Sequence, residues 1–177
     1  YPNPISFLTA EGYLAKPRFR TLTVDGPIGL SEEDKLNLNE GGDLSEEALR
    51  SLSESSERNY KIIFTIEELL RRHQRIIVFG ASVPHAHLLA GILVARGHDA
   101  KTITGETPIA RRERYIRQFR SDNPNPMVLC NYGVLTTGFD APKTSAAVIA
   151  RPTRSLVLYS QMVGRAIRGP RANGNHE

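Results

Sequence analysis

A single cysteine, Cys130, excludes an internal disulfide framework and suits a reducing, cytoplasmic setting. It lies in the apolar run M-V-L-C and reads as a small core residue. No apolar run approaches the ~20 residues needed to span a bilayer, and no signal-peptide pattern is present, so no membrane partner is expected. There is no internal repeat and no low-complexity tract. The first residue is Tyr1 rather than methionine, so the chain is expected to be an excised piece of something larger or a processed product. Acid is missing from the tail: between Asp140 and Glu177 none occurs, while Lys143, Arg151, Arg154, Arg165, Arg168 and Arg171 all do. A solvated face normally mixes signs, so this stretch favours an external anionic partner.

What is present fits one domain with a sizeable core plus a modest extra segment, 177 residues with 40% apolar and 24% charged side chains. The net charge of +4 is unevenly spread. Residues 31–58 hold nine acids and three bases, whereas residues 59–177 hold eight acids and seventeen bases. An acidic, solvated connector joined to a basic domain that meets polyanions accounts for the split.

Residues 1–30 are rich in proline and glycine, show no clear period, and read as extended around E-G-Y-L-A-K-P-R-F. S-E-E-D-K-L-N-L-N-E-G-G-D-L follows, polar and expected to be mobile around Gly41 and Gly42. Ser45 caps a predicted helix, and a second runs from about Glu57 to His73 on the spacing of Ile62/Ile63, Ile66, Leu69 and Leu70. From Arg75 the pattern alternates. Predicted strands at 76–79, 100–103, 127–130 and 146–150 are short apolar runs, as expected of strands buried on both faces. Ser82 caps the helix after the first strand, with Pro84 in its first turn and Gly97 at its end. Thr107 and Pro108 start the next, which buries Ile109, Ile116 and Phe119. The alternation argues for a parallel α/β sheet flanked by helices and built from right-handed crossovers.

The last predicted helix runs from Ser155 to Arg168. At ~100° per residue, Gln161, Arg165 and Arg168 share one stripe, with Leu156, Tyr159, Met162, Val163, Ala166 and Ile167 opposite. Like charges so spaced cost a few tenths of a kcal/mol, and Gly164 beside them costs ~1 kcal/mol relative to alanine. Two readings stand: the arginines complement the helix C-terminus in water, or their paired forks bind phosphate oxygens. Ahead of them, strand M-V-L-C-N leads into Y-G-V-L-T-T-G-F-D-A-P, at the carboxyl end of a parallel strand where open α/β sheets place ligands. Thr136 and Thr137 offer hydroxyls and N–H groups, Gly138 permits close approach, and Asp140 either accepts from a sugar hydroxyl or forms an Asp-Ala-Pro turn.

Together these residues resemble the second RecA-like domain of superfamily 2 helicases and translocases. The nearest likeness is to the DEAD/DEAH-like group that includes restriction-enzyme motor subunits and RadD-type repair helicases. The resemblance covers about Asn59 to Gly169. Q-M-V-G-R-A-I-R is similar to motif VI, L-T-T-G-F-D-A-P to motif V and I-I-V-F-G-A-S to motif IV, while T-G-E-T-P-I-A-R-R-E-R-Y-I-R-Q-F matches the segment that places Arg112 on the family's arginine.

The resemblance implies a RecA-like sheet over residues 58–177, with residues 1–57 as an N-terminal connector from an absent first domain. It implies ATP and Mg2+ held mainly by that first domain, because neither G-x-x-x-x-G-K-[ST] nor D-E-x-[HD] occurs in this chain. The chain alone is therefore expected to be inactive in ATP hydrolysis. Arg165 and Arg168 take the role of arginine fingers, Gln161 helps to order the site, and Gly138 and Asp140 lie by the nucleotide. Thr136, Thr137, Ser82, Thr104, Gly105 and Arg112 would hold nucleic-acid backbone phosphates, DNA rather than RNA. His85 and His87 read as surface residues. Two departures stand out: the chain stops soon after Arg168, where the family continues into another strand, so a sheet edge is expected to be missing or unpaired. Asn131 and Tyr132 occupy positions where many relatives carry Ser-Thr. The alternative function is a non-catalytic RecA-like module that binds nucleic acid or protein.

Overall fold

The computed structural model describes residues 4–23, 31–39, 44–134, 141–153, 155–172 and 174. Four strands, β1 (Arg75–Phe79), β2 (Ala100–Ile103), β3 (Met127–Asn131) and β4 (Ala146–Ile149), form a sheet in the order β2-β3-β1-β4, every pair parallel. Ile77 stands opposite both Leu129 and Ala147, and Thr102 opposite Cys130. Each strand lies where an apolar run predicted it, and β1 and β3 are buried along their whole length.

Successive side chains of β1 point to opposite faces and seed two cores. On one face Ile76, Val78, Val128 and Cys130 meet Ile62, Ile63 and Ile66 of helix α4 (Ser56–Leu70) and Leu89 and Leu93 of α5 (Val83–Ala95). On the other, Ile77, Phe79, Ile103 and Leu129 meet Phe119 of α6 (Ile109–Arg120) and Met162 of α7 (Leu156–Val163). Burial pushes the Cys130 thiol up to about 12, which makes it an inert core group.

The caps explain the helix starts. Ser82 Oγ accepts from His85 N at 3.2 Å, Ser155 Oγ from Leu158 N at 3.2 Å, and Ser45 Oγ from Ala48 N at 3.1 Å at the head of α3 (Glu46–Glu54). Gly97 ends α5 with φ +88°, a conformation that favours glycine.

Two helices stand where the sequence predicts none, and one expected helix is shorter. The polar stretch ahead of Gly41 and Gly42, which lie outside the described residues, contains helix α2 (Glu32–Asn39), held by a reciprocal cap in which Asp34 N donates to Ser31 Oγ and Ser31 N to Asp34 Oδ2. Hydrogen bonds from Ser31 and Ser45 hold the Asp34 carboxyl down to about 2. Helix α1 (Pro4–Ala10) precedes the stretch E-G-Y-L-A-K-P-R-F, which itself contains no helix. The last helix ends at Val163, not Arg168: Gly164 is its C-cap, Arg165 N and Ala166 N donate three residues back to Met162 O and Val163 O, and Arg168 lies in an antiparallel bridge with Leu14.

That bridge gives the C-terminal stretch a partner. Ala15 N donates to Ile167 O at 2.9 Å, Gly169 N to Tyr13 O at 3.0 Å and Arg171 N to Gly12 O at 3.0 Å. Arg171 pairs with Glu11 at 2.9 Å and lies over the Tyr13 ring. A Cβ on Gly169 would stand 2.8 Å from the Leu14 carbonyl carbon, so only glycine allows this approach.

Candidate functional site

Because the sheet is all parallel, its four strands deliver their following segments to one edge. β1 leads to Gly80–Ser82, β2 to Thr104–Gly105, β3 to Tyr132–Val134 and β4 to Ala150–Thr153. Topology alone thus brings Ser82 and the Thr104–Gly105 turn to one edge with the first residues after β3, while Gln161, Arg165 and Arg168 stand at and beyond the other end of α7. Thr136, Thr137, Gly138 and Asp140 lie outside the described residues.

Around Ser82 the support is a buried polar chain. His85 is 1% exposed, which corrects its reading as a surface residue; His87 is exposed. The imidazole Nδ1 accepts from Ala81 N at 3.0 Å, so its proton sits on Nε2, 2.9 Å from Asn59 Oδ1. Asn59 Nδ2 in turn donates to Ser53 O at 2.7 Å. Burial, reinforced by the nearby Arg58 charge, lowers the His85 pKa to about 4. Arg58 itself donates to Ala150 O at 2.7 Å, so α4 braces the turns after both β1 and β4.

The turn after β2 is braced from within. Thr104 is buried, its N–H donates to Thr107 Oγ1 at 2.9 Å, and its carbonyl accepts from Arg112 Nη2 at 3.0 Å. Arg112 Nη2 also lies 3.5 Å from Gly105 O. Thr104 and Arg112 therefore brace the turn, and Gly105 is its exposed member. The hydroxyl of Thr104 and Nε of Arg112 are buried with no protein partner. Helix α6 starts beside this turn with Pro108 at its N-cap and no side-chain cap.

Asn131 and Tyr132, the departures at the end of β3, are structural. Asn131 is fully buried and donates to Val78 O at 3.0 Å, which locks β3 to β1. Tyr132 lies under the Arg151 guanidinium at 5.6 Å.

Gln161 is on the last turn of α7, Arg165 in the turn beyond it and Arg168 in the bridge, all three half-buried. They are not one helical stripe. The same short segment still carries both guanidiniums, now fixed by the Gly164 cap on one side and by residues 13–15 on the other.

Sequence reasoning missed a further arginine, Arg75. It is 3% exposed and donates to five carbonyls, Phe119, Ser121, Asn123, Asn125 and Gln74, at 2.6–2.9 Å. It ties the end of α6 to β1 at the opposite edge of the sheet and has no place in the site.

Residues 60–170 match the family model described as helicase conserved C-terminal domain. Among curated proteins, the chain is 33% identical over 95 residues to a 51.5 kDa protein of a Lactococcus phage, covering 54% of this chain and 21% of that one. It is 32% identical over 92 residues to "Putative ATP-dependent helicase IRC3" of Saccharomyces cerevisiae, covering 52% of this chain and 13% of that one. The chain thus spans a fifth or less of the length of these relatives, to within a percent or so. Among solved structures, the Pyrococcus furiosus Hef helicase domain has a TM-score of 0.51 at 24% identity, with 68% of this chain and 25% of that one covered. A Vibrio vulnificus structure described as a "putative HsdR subunit of a type I restriction enzyme" has a TM-score of 0.55 at 22% identity, with 70% and 26% covered. At these identities the structural likenesses establish the fold, a RecA-like parallel sheet between helices.

Proposed function

Given that the chain belongs to the helicase conserved C-terminal domain family, we propose that it is the second motor lobe of an ATP-dependent helicase or translocase acting on nucleic acid, DNA rather than RNA. The observation that carries this reading is the convergence of the segments after β1, β2, β3 and β4 on one edge of the sheet. A first lobe of the same parent protein would supply the phosphate loop and the acids that hold Mg2+. ATP supplies the driving phosphoryl transfer when bound between the lobes.

This chain's part is positional and electrostatic. Arg165 and Arg168 present planar, permanently charged forks to the γ-phosphate, where developing charge is best met by preorganised donors. Gln161, one turn before them, orders that wall, and Gly138 and Asp140 stand by the nucleotide. Ser82, Gly105, Thr136 and Thr137 hold backbone phosphates through hydroxyl and N–H groups, contacts that read no sequence. Thr104 and Arg112 serve this face by fixing the Gly105 turn.

In the protein that carries both lobes, Arg165→Ala or Arg168→Ala should lower ATP turnover by roughly 10³-fold or more with little change in melting temperature. Turnover equal to the parent's would end the finger role and leave a binding module. Multiple turnover by the isolated chain, with contaminating ATPases excluded, would end the division of labour between lobes.

A further inference from the structure

Helix α6 carries Arg111, Arg112, Arg114, Arg117 and Arg120 against a single acid, Glu113. Tyr115, Ile116 and Phe119 turn one face to the sheet, and Arg112 joins them there to brace the Thr104–Gly105 turn. Arg111, Arg114 and Arg117 are left on the exposed side, three residues apart, so they form a diagonal ridge roughly 9 Å long.

Among the described residues, the side chains of these three form no hydrogen bond or ion pair. Glu113, one turn before Arg117, is not paired with it, and Arg114 meets only the ring of its neighbour Tyr115, at 5.4 Å. Glu106, exposed on the turn before the helix, has no hydrogen bond or ion pair to them among the described residues. Like charges at this spacing oppose helix formation, and no acid among the described residues compensates them. The ridge begins beside Gly105 and runs from the carboxyl edge of the sheet across the outer surface of α6.

We propose that Arg111, Arg114 and Arg117 form a second nucleic-acid contact, one that takes the phosphate backbone of a DNA duplex outside the strand-binding edge. The assignment rests on the motor-lobe reading for its partner, but on different residues. Duplex rather than single strand follows from shape. Single strands are held in grooves with aromatic platforms, whereas this ridge is convex and its one nearby aromatic ring, Tyr115, is covered by Arg114. Duplex DNA carries one charge per ~1.7 Å of axis counting both strands, so the length spanned by the ridge holds about five, of which only part lies on the side it meets. The contact positions the duplex and reads no bases.

The test is fluorescence anisotropy of this chain with a short labelled DNA duplex and with the matching single strand, over a series of salt concentrations. The parent chain is compared with Arg111→Gln/Arg114→Gln/Arg117→Gln, and with Arg111→Gln alone as the variant least able to disturb folding, since it only removes a cation from the first turn of α6. Each lost phosphate contact removes ~0.9 from the slope of log K against log salt, so the triple variant's duplex slope should be shallower by about two to three and the single variant's by about one. The single-strand slope should change by less than one. An unchanged duplex slope, or an equal loss on the single strand, overturns the ridge while leaving the motor-lobe reading intact. No binding of either DNA by the parent chain overturns both.

Discussion

His85 shows how much one buried side chain settles. Its ring accepts from Ala81 N and reaches Asn59, so it must be neutral, and protonation at Nδ1 would place a hydrogen against the Ala81 N–H. The unfolded chain takes up that proton near 6.5, the folded one only near 4. Stability should therefore fall as pH drops from about 6.5 to about 4, because over that range the unfolded state binds more protons. Urea midpoints at pH 7 and pH 5 should separate for the parent chain. In His85→Gln, less stable throughout, that separation should shrink, and parallel shifts would show that another group dominates. Neither His85 nor Arg75 was legible as a core residue. Lone polar residues are mostly exposed, and what buries these two is supplied from distant places, Asn59 for one and the carbonyls of residues 119–125 for the other.

At the level of elements, the strands were readable because each is a short apolar run covered on both faces, a pattern that needs no long-range knowledge. Serine caps marked α3, α5 and α7 for the same local reason. The end of α7 was misjudged because a helical wheel assumes that the helix continues. Gly164 carried the signal, and it is the C-cap, where a Cβ would lie 3.0 Å from Ser160 O. The S-E-E-D cap of α2 was equally local and was overlooked amid polar composition. The pairing of residues 13–15 with 167–169 could not be read at all, since it joins stretches more than 150 positions apart. It rests on Gly169. Gly169→Ala should cost about 1–3 kcal/mol through overpacking, measured by chemical denaturation. Amide hydrogen exchange should quicken at Ala15, Gly169 and Arg171 ahead of the sheet, whereas uniform exchange would show that the pairing is no separate unit.

Across the whole molecule, the sequence motifs cover only the sheet and its flanking helices, yet the fold recruits chain from both ends. Helix α3 buries Ala48, Leu49 and Leu52, and Ser53 O is the last link of the chain that reaches His85. The acidic stretch is thus partly a brace, while the excess of base gathers on α6 and on the segment beyond α7.

The Leu14–Arg168 bridge bears on where this molecule can be cut. A fragment trimmed to the family match at residues 60–170 would discard α3 and the strand partner of residues 167–169, baring N–H and C=O groups on a stretch of backbone that would then invite pairing with other copies. Such a fragment should sediment as soluble aggregate, and the 177-residue chain should sediment as a single species. Identical sedimentation would mean that the smallest self-sufficient folding unit begins after the opening segment.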